Sequence, residues 1–306
     1  MTDQMHVIVV MAPSGALVNR MLIENAVSAV QGQVVEAHRV AVPVSLADHR
    51  EVVKFLIDCP DPEKLSAQLR QLSDEHGADI ALQSRLSRCR PYGLAVFDMD
   101  STLISCEVID ELARVAGVGA EVAEITDRAM RGELDFDESF RTRLALLEGL
   151  DAGAVDELAD QLPVQSGLSE MATTLKARGL KLAIFSGGFI PIAERLKSDY
   201  GFDHVVANEL EIKGGKVTGK VVPPIVNREY KAEALGALAS RLGIHTEHCI
   251  AVGDGANDLS MMALAGLGVA FHAKPAVRAA SPIEITHIGL DGVCYLMGHE
   301  GEFAAA

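Results

Sequence analysis

The hydrophobic pattern changes rhythm once along the chain. Over the first ninety residues, MHVIVVM at 5–11 reads as a buried strand, and LVNRMLIENAVSAV at 17–30 spaces its apolar residues for one face of a helix. VVEAHRVAV and REVVKFLID read as two more strands, separated by a polar turn holding Asp48 and His49. PEKLSAQLRQLSDEHG is helical, and ADIALQ supplies a fourth strand. The order β-α-β-β-α-β predicts a ferredoxin-like α+β module over residues 1–84. RLSRCRPYG follows, with three arginines ahead of Pro91 and Gly93, and predicts a linker over 85–92.

From residue 93 the apolar runs become continuous rather than alternating: GLAVFD (93–98), LKLAIFS (180–186), DHVVAN (203–208), HCIAVGD (248–254) and GLGVAF (266–271). Amphipathic stretches such as LSEMATTLKARG and EYKAEALGALASRLG lie between several of them. Strands that are apolar on both faces suit a parallel sheet covered by helices on each side, with right-handed crossovers. Residues 93–306 are therefore expected to form a Rossmann-like α/β domain. Two insertions interrupt it. The region from about 107 to 165 lacks a good strand candidate and predicts a helical cap; residues 208–222 alternate around Gly214-Gly215 and predict a hairpin.

Composition narrows the function. With 306 residues, 49 % hydrophobic and 23 % charged, the chain can build a sizeable core without staples. Its formal net charge of -16, carried mostly after residue 90, excludes non-specific binding to nucleic acid or to an anionic membrane. The five cysteines (Cys59, Cys89, Cys106, Cys249, Cys294) form no CxxC pair and read as reduced thiols. No signal-peptide pattern or transmembrane-length apolar run is present, so a cytoplasmic location is expected. The ten histidines make no HxH or HExxH arrangement.

The chemistry begins at AVFDMDST, residues 95–102, where a buried run ends in Asp98 and Asp100. Burying an ionised carboxylate is expensive unless a partner or a cation compensates it. In open parallel sheets ligands gather beyond the carboxyl ends of the strands, and three strands here end in polar residues: Asp98 with Asp100, Ser186 with Gly187, and Asp254 with Asp258. Acids converging there repel one another unless a hard divalent cation sits among them, and Mg²⁺, which prefers oxygen ligands, is the natural choice. Asp98 is suited to attack phosphorus as a carboxylate nucleophile, and Asp100 to move the proton. Taken alone, DMDST also reads as a turn capping a helix. FSGGF offers a hydroxyl and backbone amides for phosphate oxygens, Lys231 opens a helix, and GDGANDLSMM places Asn257 and Asp258 where another begins. Each has a bland reading, and together they leave little room for coincidence.

Residues 93–290 resemble the haloacid dehalogenase superfamily of phosphotransferases and match its four motifs in order. DMDSTLISCEVIDELA, RAMRGELDF, SGGF and VGDGANDL are similar to the bacterial phosphoserine phosphatase family. The resemblance implies Asp98 as nucleophile and Asp100 as general acid and base, with Mg²⁺ held by Asp98, the Asp100 carbonyl and Asp254. It implies phosphate binding by Ser186, Gly187 and Lys231, with Asn257 and Asp258 supporting the metal and substrate shell. It further implies that Glu107 pairs with a substrate ammonium, that Arg143 takes a carboxylate, and that Met130 and Phe136 wall the pocket. The expected substrate is O-phosphoserine, hydrolysed to serine and phosphate. Transfer of the phosphoryl group to an acceptor such as homoserine stays open. So does the role of the N-terminal module, which resembles ACT-type domains: serine binding, homodimer formation and a purely structural part are all weighed.

Overall fold

The structure, a computed structural model, describes residues 5–16, 18–46, 49–131, 133–299 and 302–303, apart from the Met130 side chain. It forms two compact units: Met1–Tyr92 with Ser166–Thr174 and Val269–Ala306, and Gly93–Gln165 with Leu175–Gly268.

The first unit opens with β1 (Met5–Pro13), α1 (Arg20–Ala29), β2 (Gln33–Arg39), β3 (Arg50–Asp58), α2 (Pro62–His76) and β4 (Asp79–Ser84). The strands pair antiparallel in the order β2-β3-β1-β4, which fits a ferredoxin-like module. Helix α1 starts three residues later than its apolar spacing begins, because Asn19 caps it by accepting from the Leu22 amide (3.1 Å). Asp61 caps α2 in the same way. Asp48 of the expected turn lies outside the described residues. Period-two alternation in β3 sends Phe55 and Ile57 into a core with Ile8, Ile23, Val27, Leu65 and Leu69. The expected linker holds a short helix, α3 (Arg85–Arg88), in which Arg88 is buried.

The second unit contains β5 (Leu94–Phe97), then α4 (Val108–Ala116), α5 (Gly119–Met130), α6 (Phe136–Ala145) and α7 (Gly153–Ala159). Among the described residues from 107 to 165, where a cap is expected, the regular elements are these four helices. Helix α8 (Leu168–Ala177), which the unit boundary divides, leads to β6 (Lys181–Phe189), α9 (Ile190–Tyr200), β7 (His204–Lys213), β8 (Lys216–Val222), α10 (Arg228–Arg241), β9 (Cys249–Gly253), α11 (Leu259–Leu264) and β10 (Leu267–Phe271), which the boundary also divides, its residues from Val269 on belonging to the first unit. Strands β9, β5, β6 and β7 lie side by side and parallel, and every residue of β5 and β9 is buried. The strand expected at 203–208 and the first arm of the expected hairpin prove to be one strand. Its start pairs with β6 and its end with β8, so the change of partner near Asn208 needs no break in the chain.

The chain closes in the first unit with α12 (Pro275–Ala280), β11 (Glu284–Ile285), which pairs parallel with the end of β10, and α13 (Gly292–Leu296). The consecutive division expected at 85–92 is therefore not the one that compactness follows. The Asp79 carboxylate accepts from the amides of Thr286, His287 and Ile288, and Arg88 donates to the carbonyls of Tyr295, Leu296 and Met297. Those bonds hold the C-terminal segment in the first unit. Among the described residues no helix is long and apolar enough to cross a membrane.

Candidate active site

Strand register sets the site. Phe97, the last residue of β5, is level with Ile184 of β6 and with Val252 of β9. Asp98, Ser186 and Asp254 therefore emerge within two residues of that level, at the carboxyl ends of adjacent strands. The chain moves from β5 to β6 and β7 on one side and returns as β9 on the other, so β5 marks a topological switch point.

Asp98, Asp254, Asp258 and Lys231 are all buried, Lys231 and Asp258 completely. The three carboxylates offer oxygens within 4.8 Å of one another. Lys231 enters from the start of α10, whose cap is Asn227, and its Nζ donates to Asp98 Oδ1 and to Asp258 Oδ1, each at 2.7 Å. The helix lysine that sequence alone would leave in water is the internal counter-ion of the cluster. Asp258 Oδ2 accepts from the Gly255 amide (3.0 Å), and Thr102 Oγ1 donates to Asp254 Oδ1 (3.3 Å). A Cβ on Gly253 would stand 2.4 Å from Asp258 Cγ, so only glycine lets this carboxylate approach.

One ammonium among three buried carboxylates leaves negative charge in surplus. Burial pushes the Asp98 carboxyl well above its usual range; Asp258 and Asp254 push it further, while Lys231 pulls it back. Burial alone would depress Lys231, but Asp258 and Asp98 outweigh it and hold the ammonium above its ordinary value. The donor set is oxygen only, buried and under-compensated, which fits a hard divalent cation. Asp98, Asp254 and Asp258 are the side chains that could hold one. Asp258, expected only in support, stands among them.

The Asp100 side chain is not in that group. Its Oδ1 accepts from the Val108 amide (3.4 Å), and burial, with Glu107 and Asp98 nearby, raises its carboxyl well above the usual range. Ser101 adopts a left-handed backbone (φ 58), a strained choice for a residue with a Cβ. Its hydroxyl donates to Glu107 Oε1 (2.8 Å), fixing the carboxylate at the N-cap of α4.

Ser186 and Gly187 lie where β6 slips register against β7. Ser186 is fully buried, and its Oγ accepts from the Gly188 amide (2.8 Å). A Cβ at Gly188 would sit 2.6 Å from Met99 Cε and 2.9 Å from Asp100 Oδ2. Buried Asn208, which sequence reasoning missed, ties this loop down: its Nδ2 donates to the Gly187 carbonyl (2.7 Å), and its Oδ1 accepts from the Val226 amide (2.9 Å). Phe136, at the start of α6, has its ring 3.4 Å from where a Gly187 Cβ would be. Asn257 is half-buried in the tight turn Ala256–Asp258. Arg143 sits in the last turn of α6, where its buried Nε has no hydrogen-bond partner among the described residues. Burial lowers its pKa against the pull of Asp110, Glu107 and Asp100. Met130 ends α5, and its side chain lies outside the described residues. Ser101, Thr102 and Asp110 were also missed. Their only signal was their place inside the quoted stretch DMDSTLISCEVIDELA.

Fold and site define an α/β protein with a carboxylate–lysine centre at the switch point of a parallel sheet. The model of the haloacid dehalogenase-like hydrolase family matches residues 95–263, more than half of the chain, and the chain belongs to that family. It is 45 % identical over 243 residues to the phosphoserine phosphatase SerB2 of Mycobacterium tuberculosis, covering 79 % of this chain and 59 % of that protein; it thus spans less than two thirds of that relative. A HAD family hydrolase from Salmonella enterica serovar Typhi is similar in structure, with a TM-score of 0.83, 31 % identity, and coverage of 96 % of this chain and 99 % of that one. A phosphoserine phosphatase solved as a phospho-aspartyl intermediate analogue gives a TM-score of 0.64 at 40 % identity, covering 68 % of this chain and 99 % of that one.

Proposed function

We propose that the chain is a phosphoserine phosphatase, hydrolysing O-phospho-L-serine to serine and phosphate. The observation that carries this reading is the buried Asp98 carboxylate, bonded to Lys231 and crowded by Asp254 and Asp258, beside the Ser186–Gly188 loop. Similarity to phosphoserine phosphatases supports the choice of substrate.

Asp98 attacks phosphorus, forming the Asp98 Oδ–P bond as the P–O bond to serine breaks. Asp100, whose carboxyl burial raises well above its usual range, gives a proton to the leaving serine oxygen. Asp100 then takes a proton from the water that attacks the aspartyl-phosphate, and phosphate departs from regenerated Asp98. Ser186, the Gly187 segment and Lys231 hold the phosphoryl oxygens as charge develops on them. Glu107 pairs with the substrate ammonium, and Arg143 takes its carboxylate through a bidentate fork. Phe136 walls the pocket, and Asn257 supports its phosphate end. Mg²⁺, held by Asp98, Asp254 and the Asp100 carbonyl with Asp258 beside them, would neutralise the approach of two anions and keep Asp98 ionised. The same reading puts the enzyme in the cytoplasm. It makes the N-terminal module an ACT-like candidate for serine binding or homodimer contact.

Asp98→Asn should reduce phosphate release from phosphoserine by at least about 10⁴-fold, as loss of a nucleophile does. Turnover near the parent rate, in protein shown by mass to be free of deamidation, ends the proposal.

A further inference from the structure

In α4 and α6 two buried atoms of opposite character have no hydrogen-bond partner among the described residues: Asp110 Oδ1, an acceptor, and Arg143 Nε, a donor. Asp110 lies in the first turn of α4, three residues after Glu107 and on the same helix face. An acid there is ordinarily a solvated helix-start residue favoured by the dipole. Asp110 departs from that pattern. Its Oδ1 is buried and caps no backbone amide, while its own amide already donates to the Glu107 carbonyl (3.1 Å). Of the charges around Arg143, Asp110 acts most strongly, ahead of Glu107 and Asp100. Around Asp110 the cations are Arg143 and Arg114, and Arg114 is already paired with Glu111.

A buried donor and acceptor left unpaired are unfavourable, and hydrogen bonds in a site without ligand are often long, tightening in the substrate complex. Arginine's donors form a rigid fork. If Nε–H turns to one carboxylate, both Nη groups remain free for another.

We infer that Asp110 is a positioning residue: its carboxylate accepts from Arg143 Nε when substrate binds, and thereby aims the two Nη groups at the substrate carboxylate. This rests on the phosphoserine reading of Arg143. The acid on the ligand is thus read by an arginine that a second acid orients, while Glu107, one turn earlier on the same face, is left for the ammonium.

The test is a double-mutant cycle on the full chain with Mg²⁺, comparing phosphoserine with p-nitrophenyl phosphate, which has no carboxylate. Asp110→Asn keeps the shape and removes the charge. It should raise KM for phosphoserine about tenfold, the size of one charge-assisted hydrogen bond, with kcat and the p-nitrophenyl phosphate reaction within about twofold. In an Arg143→Ala background Asp110→Asn should add nothing, since the residue acts through Arg143. Asp110→Ser provides a second variant, expected to behave as Asp110→Asn does. Equal losses on both substrates, or full additivity with Arg143→Ala, overturn the positioning role alone, provided Arg143→Ala itself discriminates against phosphoserine. If Arg143→Ala does not discriminate, the reading of Arg143 falls, and the inference falls with it.

Discussion

Each unit of this protein buries a cluster of charge, and the two are balanced in opposite ways. In the first unit two cations share one carboxylate. Glu302 accepts from Arg88 Nε and Nη2 (3.0 and 2.9 Å) and from Lys54, while Arg88 sends further donors to Gln83 Oε1 and to three backbone carbonyls. Surplus positive charge is solvated by carbonyl oxygens, and burial's tendency to raise Glu302 is outweighed by Arg88 and Lys54, which hold it below its ordinary value. In the second unit one ammonium faces three carboxylates, and the surplus is negative. A guanidinium can be satisfied by the backbone, whereas clustered carboxylates need cations. The first arrangement is complete as it stands; the second has room for chemistry.

The largest expected effect separates them. Lys231→Met should lower turnover by at least about 10³-fold and destabilise metal-free protein by about 3–5 kcal/mol, because it leaves buried carboxylates unpaired. Mg²⁺ should restore much of the stability and little of the turnover, read by urea melts and phosphate release. Unchanged metal-free stability would break the comparison. Glu302→Gln should cost a similar 3–5 kcal/mol or somewhat less, with kcat of the folded protein preserved and no recovery on adding Mg²⁺. Recovery by Mg²⁺ would show that the two clusters are not distinct in kind.

A smaller effect has opposite sign in the two clusters. Asp98 and Asp100 have raised folded values, so their contribution to stability is fully present below the ordinary carboxylate value near about 4 and is lost as pH rises through the raised values. Glu302 has a lowered value, so its contribution is present above about 4.3 and lost as pH falls through the lowered value. Metal-free protein should gain stability on acidification from neutrality, then lose it in the acid range. Asp98→Asn should flatten the first limb and Glu302→Gln the second; urea midpoints across pH that respond to neither variant would refute both assignments. Asn208→Ala orphans the Gly187 carbonyl and the Val226 amide. It should cost about 1–3 kcal/mol and lower kcat on phosphoserine and p-nitrophenyl phosphate alike. A loss confined to one substrate would detach Asn208 from the phosphate loop.

Much of this was legible in the chain. Continuous apolar runs marked β5 and β9, REVVKFLID marked β3, and the acids after each parallel strand marked the site before any register was known. The misses share a cause. Arg88 sat in a stretch that reads as a polar linker, and nothing local says that its guanidinium is enclosed by carbonyls from residues 295–297. Asn208 is one polar residue at a strand end, and its two partners come from separate segments. Strand β7 was divided in sequence because its residues change partner partway, and the local pattern records the partner rather than the strand.

Sequence by itself determined the elements, the motif order and the kinds of atoms available, because periodicity and residue chemistry act within a few positions. Only the tertiary structure decided which charges share a low-dielectric space. Lys231 meets Asp98 across 133 positions of chain, and Arg88 meets Glu302 across 214. Charge balance depends on distance through space and on burial, and those are properties that strand register and packing create.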